Sequence, residues 1–132
     1  MTFFLDLPRH LPNSMSPSPP SPESFLPLRP AIFVILLSLG EGDLHGYAIA
    51  KAVRAKSSGR VRLATGPMYR HLKRLLDEGL IEESDERPIP EEDDERRRYY
   101  RLTGLGKEVV SLEAEHMATL VQATRDLRLR EV

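Results

Sequence analysis

The segment Thr65-Gly-Pro-Met-Tyr-Arg-His-Leu-Lys-Arg-Leu-Leu-Asp-Glu-Gly79 is written as a helix with two unlike faces. Met68, Leu72, Leu75 and Leu76 fall at i, i+4, i+7 and i+8, a single apolar stripe. The opposite face carries Gly66, Arg70, Lys73, Arg74 and Asp77. Thr65 is expected to cap a helix over about 66–78, with Pro67 tolerated in the first turn and Gly79 as the stop. One side of this helix is built for a core. The other is basic and ends in small residues.

Upstream, the chain supplies two helices to brace it. Ala31-Ile-Phe-Val-Ile-Leu-Leu-Ser-Leu39 is apolar almost all round, so a helix over about 29–39 should be buried, ended by Gly40 and Gly42. Asp43 is expected to cap a second helix over 44–55, with Leu44, Tyr47, Ala48 and Val53 on its inner side. Ser57-Ser-Gly59 breaks it, and Arg60-Val-Arg-Leu63 alternates as a short strand or an extended link. Downstream, Leu80-Ile-Glu-Glu83 and Arg96-Arg-Arg-Tyr-Tyr-Arg-Leu102 suggest two strands of a hairpin, joined by a long acidic connection over 84–95. Thr103 should cap a last helix over 104–127. On it Leu105, Val109, Leu112, Met117, Leu120, Val121 and Leu127 spread over nearly half the circumference, too wide a stripe for one small domain to cover. A second chain is the expected cover.

The order helix, helix, helix, hairpin is the winged helix-turn-helix plan, mainly α with a small β-hairpin, followed by a C-terminal dimerisation helix. The expected organisation is a Pro/Ser-rich disordered arm over 1–27, the winged domain over 28–103, and the dimerisation helix and tail over 104–132.

Charge supports a nucleic-acid partner once it is counted by segment. The chain of 132 residues has a net charge of only −1. From Lys51 to Leu76, however, there are eight basic residues and no acidic one, whereas Asp77 to Glu95 holds eleven acidic residues against Arg87 alone. Double-stranded DNA is therefore the expected partner. Thr65, Gly66, Tyr69, Arg70, Lys73 and Arg74 on the third helix are the candidate groove residues, with Arg70 and Lys73 foremost, since Arg reads a guanine edge bidentately. Arg54, Lys56, Arg60 and Arg62, with Arg96, Arg97 and Arg98 on the wing, are candidates for phosphates. Tyr47 and Tyr69 are at least as well suited to packing as to contact with DNA, and Gly46 to a close helix approach. The alternative is a winged helix whose basic face docks an acidic protein.

Other function classes find no support. His10, His45, His71 and His116 lack zinc spacing, and the run Glu91-Glu-Asp-Asp-Glu95 is a solvated tip without fixed metal geometry. There is no phosphate loop, nucleophile elbow or acid/base pair on one element, so neither an enzyme nor a cofactor is expected. The absence of cysteine, the lack of an apolar run of membrane length, and an N-terminus unlike a signal peptide lead to the expectation of a cytoplasmic protein.

Five blocks then resemble one family. Leu28-Arg-Pro30, His45-Gly-Tyr47, Gly66-Pro-Met-Tyr69, Leu75-Leu-Asp-Glu-Gly-Leu-Ile81 and Tyr99-Tyr-Arg-Leu-Thr-Gly-Leu-Gly106 are similar, in order and spacing, to PadR-family signatures over about 28–112. The resemblance implies a homodimer in which the C-terminal helix pairs with its counterpart and the first helix. It also implies repression by operator binding, with release by a small-molecule effector, commonly phenolic. The chain departs from the family at Pro67-Met68, where Thr-Leu is more usual, and in a longer, more acidic wing tip that argues against deep minor-groove insertion. Its short, Trp-free last helix does not support an aromatic drug pocket.

Overall fold

The computed structural model describes residues 20–84 and 98–129. A 3₁₀ turn, Pro22–Phe25, leads into helix α1 (Pro30–Ser38), which a second 3₁₀ turn over Leu39–Glu41 extends. Strand β1 (Leu44–His45), helix α2 (Gly46–Lys56), helix α3 (Thr65–Asp77), strand β2 (Ile81–Ser84), strand β3 (Tyr99–Leu102) and helix α4 (Gly104–Asp126) follow. The strands form one antiparallel sheet in the order β1-β3-β2, with Leu44 opposite Tyr100 and Ile81 opposite Leu102. This is a winged helix-turn-helix with a C-terminal helix.

The core is the meeting of the apolar stripes. Ile35 and Leu36 of α1, Ile49 and Val53 of α2, Met68, Leu72 and Leu75 of α3, Leu80, Ile81 and Val109 are all buried together. Each such side chain contributes about 1.5–3 kcal/mol by leaving water. The stripe Met68-Leu72-Leu75 thus fixes which side of α3 faces inward, and by exclusion which side faces out.

The entry to α2 differs from the sequence expectation. Leu44 and His45 are not helical; they pair with β3 as a third strand. Asp43 accordingly does not cap α2; its carboxylate accepts a hydrogen bond from the Ser84 hydroxyl across the sheet. His45 caps instead, its Nδ1 accepting from the Ala48 N–H at 3.3 Å. The helix therefore starts two residues later and is turned relative to the expected phase. Ile49 takes the buried position, and Tyr47 stands 70% exposed. Two strand residues carry too little alternation to signal a strand, and only the partner strand β3 makes them one.

Two smaller corrections concern the start of α3 and the N-terminal arm. Thr65 lies inside the first turn of α3 while Ala64 occupies the cap position without a side-chain bond. Of the two alternatives for residues 60–63, the extended link is the one observed. Residues 20–27, assigned to the arm, include the Pro22–Phe25 turn, which packs against α4, and Phe25 and Leu26 join the core margin. The Leu28 N–H donates to Oε2 of the buried Glu113 on α4 at 2.7 Å, tying this segment down. Residues 1–19 lie outside the described residues.

Thr103 caps α4 as expected, accepting from the Gly106 N–H at 3.0 Å. Its hydroxyl donates in turn to the Gly79 carbonyl at 2.6 Å, which joins the end of α3 to the start of α4. Gly106 sits directly on the Leu80 backbone, where a Cβ would come within 3.2 Å of the Leu80 carbonyl carbon.

Candidate nucleic-acid interface

The outward face of α3 is the candidate site. At 100° per residue, Gly66, Arg70, Lys73 and Asp77 fall within about 60° of one another, with Tyr69 and Arg74 on opposite flanks, each roughly 70° from the centre. Gly66, Arg70 and Lys73 are exposed. The Arg70 guanidinium reaches back over the first turn, its Nη1 3.7 Å from where a Cβ on Gly66 would stand. Side chains on a helix lean toward its N-terminus, which carries this cation to the end where small residues leave the backbone accessible. Arg70 forms no ion pair with any described residue, whereas Lys73 is 3.4 Å from Asp77, an exposed pair of little worth.

The structure separates Arg74 from that face. Its Nε donates to Glu78 at 3.1 Å. With Phe25, Leu28, Ile32, His71 and Glu78 it lines a cleft of about 240 Å³ between the N-terminal 3₁₀ turn, α1 and α3. Arg74 thus belongs to the rim of this cleft more than to the outward face of α3.

Tyr69 occupies the other flank and joins α3 to α2. Its ring end lies against Gly46, so that a Cβ there would come within 2.8 Å of the Tyr69 Cζ. Gly46 is a close-approach residue, as expected. The ring remains 46% exposed, so Tyr69 is both a packing residue and part of the surface. Burial pushes the Tyr100 phenol above its ordinary value of 10.0; Glu83 and Tyr69 raise it further, and Arg98 pulls the other way.

The remaining basic candidates divide in two. Arg54 and Arg60 are exposed and unpaired among the described residues, and Arg62 is exposed with its Nε donating to the Gly59 carbonyl at 3.2 Å. Lys56 faces Glu41 at 2.9 Å and Arg98 faces Glu83 at 3.2 Å, so each shares its charge with a carboxylate. Arg96 and Arg97 lie outside the described residues, as does the acidic connection over 85–95. Two side chains absent from the expected contacts stand on the surface of α2. Tyr47 is exposed and Lys51 holds its Nζ 5.7 Å from the Tyr47 ring centroid. The i, i+4 spacing was the available signal, but the wrong helix phase turned Tyr47 inward.

Of the expected dimerisation residues, Val109 is completely buried in its own chain and has no surface to offer a partner. Leu105 packs against the same core, and Leu112 and Met117 are half-buried. Leu120, Val121 and Leu127 are 65%, 47% and 66% exposed. Residues 118–129 are all exposed, and the part of them that belongs to α4, 118–126, spans about 13 Å at 1.5 Å per residue. Among the described residues no cluster of His, Asp or Glu is placed to hold a metal ion, and no helix is long and apolar enough to cross a membrane.

Comparison with known proteins agrees with this architecture. A transcriptional regulator from Clostridium thermocellum superposes with a TM-score of 0.57 at 27% identity, over 73% of this chain and 87% of that one. A PadR family transcription regulator from Clostridium difficile R20291 gives 0.59 at 26% identity, over 74% and 96%. Bacillus subtilis PadR in complex with operator DNA gives 0.53 at 26% identity, over 63% of this chain and 45% of that one. In sequence, the chain is 38% identical over 90 residues to an uncharacterised 37.1 kDa transposon protein of Streptomyces fradiae, of which it spans 24%. The family model of the transcriptional regulator PadR-like family matches residues 35–112, more than half of the chain. With its winged helix, its sheet and its C-terminal helix all in that order, the chain belongs to the PadR-like family of transcriptional regulators, a family of regulators and not of enzymes.

Proposed function

We propose that this protein binds operator DNA as a homodimer and represses transcription, with α3 in the major groove. The observation that carries the reading is the exposed face of α3, where Arg70 and Lys73 stand beside the small residues Thr65 and Gly66 with the core stripe directly behind them. A rigid helix backed by Met68, Leu72 and Leu75 delivers Arg70 to a base edge without having to order it first. Arg54, Arg60 and Arg62 then supply phosphate contacts that position the helix. That Bacillus subtilis PadR was solved with operator DNA supports the partner class.

Dimerisation is supported by the exposed apolar end of α4, where Leu120, Val121 and Leu127 lie open to water. Two copies joined there place two α3 helices on successive major grooves of a pseudo-palindrome, about one helical turn apart. Release by a small molecule draws its support from the cleft behind α3, since a ligand held there and DNA on the other side press on one helix.

The test is a fluorescence anisotropy titration with the DNA upstream of the protein's own gene, repeated over a salt series. A steep linear fall of log affinity with log salt is expected. Arg70→Ala should cost about 1–3 kcal/mol and relax preference for that site over unrelated DNA. Binding to no DNA at all, together with capture of an acidic protein partner, would establish the docking-module alternative instead. Leu120→Asp with Val121→Asp should leave a folded monomer in sedimentation; an unchanged dimer would remove α4's end from the interface.

A further inference from the structure

We propose that Tyr47 and Lys51 form a clamp for one phosphate of the DNA backbone, which sets the register in which α3 meets the groove. The inference rests on the DNA-binding reading above. Its starting point is an exposed aromatic side chain that packing does not explain: Tyr47 is 70% exposed although it opens a helix whose neighbour Gly46 is buried. Around its ring stand His45, stacked with centroids 6.4 Å apart and planes within 9°, and Lys51, with its ammonium 5.7 Å from the ring centroid. The ring therefore props a cation in place, since an ammonium over an aromatic face is attracted by the ring quadrupole. Being four residues apart, both side chains lie on one side of α2.

Lys51 is also uncommitted. Lys56, Lys73 and Arg74 each face a carboxylate within 3.4 Å, whereas Lys51 forms no ion pair with any described residue. A phenol hydroxyl and an ammonium on one helix face make a set of donors suited to an anionic oxygen. The place of this pair identifies the anion. Gly46 lies against Tyr69 in the first turns of α3, so the start of α2 is held next to the helix that carries Arg70. In helix-turn-helix proteins the helix before the recognition helix crosses the DNA backbone. The occupant that a donor pair on this helix fits is a backbone phosphate flanking the groove, not a base edge.

The clamp should act without regard to sequence. The probes are two fluorescein-labelled duplexes of equal length, one carrying the DNA upstream of the protein's own gene and one of arbitrary sequence. Tyr47→Phe keeps the ring and removes the hydroxyl; it should weaken binding to both duplexes by a similar factor, about 3- to 10-fold, without changing the salt slope. Lys51→Gln should weaken both as well and lower the magnitude of the slope by about 0.9, the share of one phosphate. Far-UV circular dichroism of both variants should match the parent. Variants that bind both duplexes like the parent, while Arg70→Ala loses affinity, would overturn the clamp and leave the DNA reading intact. A loss confined to the upstream duplex would make these base-reading residues and overturn the proposal too. A parent protein that binds neither duplex would end both readings together.

Discussion

Gly106→Ala tests the way α4 is attached to the winged domain. A Cβ at this position comes within 3.2 Å of both the Leu80 carbonyl carbon and the Leu102 Cδ2, and closer still to the Leu80 carbonyl oxygen. A leucine methyl can rotate away, but the backbone of Leu80 cannot. That carbonyl already accepts the Thr103 N–H at 3.1 Å, and the Thr103 hydroxyl spans the Gly79 carbonyl and the Gly106 N–H. The added methyl must therefore push α4 off a junction stitched by three hydrogen bonds. Overpacking of this kind costs about 1–3 kcal/mol. Weakening one junction bond adds about 1 kcal/mol. Better helix propensity of Ala over Gly returns about 1 kcal/mol. The net expectation is a loss of about 1–3 kcal/mol, and for a domain of this size each kcal/mol lowers Tm by roughly 4–8 °C. Thermal melts followed by far-UV circular dichroism, at one fixed protein concentration, measure it. A variant as stable as the parent, or more stable, would show that helix propensity decides at this position and would refute the argument from backbone contact.

Further outcomes follow from other contacts. Gly46→Ala meets only the tip of the Tyr69 ring, which can swing aside, so it should cost less stability than Gly106→Ala yet lower DNA affinity by displacing Tyr69 from its place beside Arg70; paired melts and anisotropy titrations separate the two effects. Glu113→Ala leaves the Leu28 N–H without its acceptor and should destabilise by about 1–3 kcal/mol, with Glu113→Gln milder, as read by urea denaturation. Tyr100, with its phenol raised by burial, should ionise above 10.0 in an ultraviolet pH titration, and Tyr100→Phe should remove that part of the signal. The unfolded chain ionises first as pH climbs past 10.0, so Tyr100 takes stability away from that point upward and has no such effect at neutral pH.

The elements whose signal is local could be read from the order of residues alone. The stripe Met68-Leu72-Leu75 defines α3 and which face it buries, because a period of 3.6 residues depends on no distant partner. Thr103 announced the start of α4 through a cap that closes within three residues. Charge segregation marked the surface on which Arg70 stands. Every feature that needs a second element depended on packing. Leu44 and His45 became a strand only because β3 lies beside them, which moved the cap from Asp43 to His45 and turned Tyr47 out to solvent and Ile49 in. Val109 and Leu120 read alike on a helical wheel, but Val109 falls where α4 crosses the core and Leu120 falls beyond it. Arg74 shares a basic run with Arg70 yet faces Glu78 and the cleft. Periodicity states which side of a helix is apolar; how far its neighbours extend along that side is settled by packing alone.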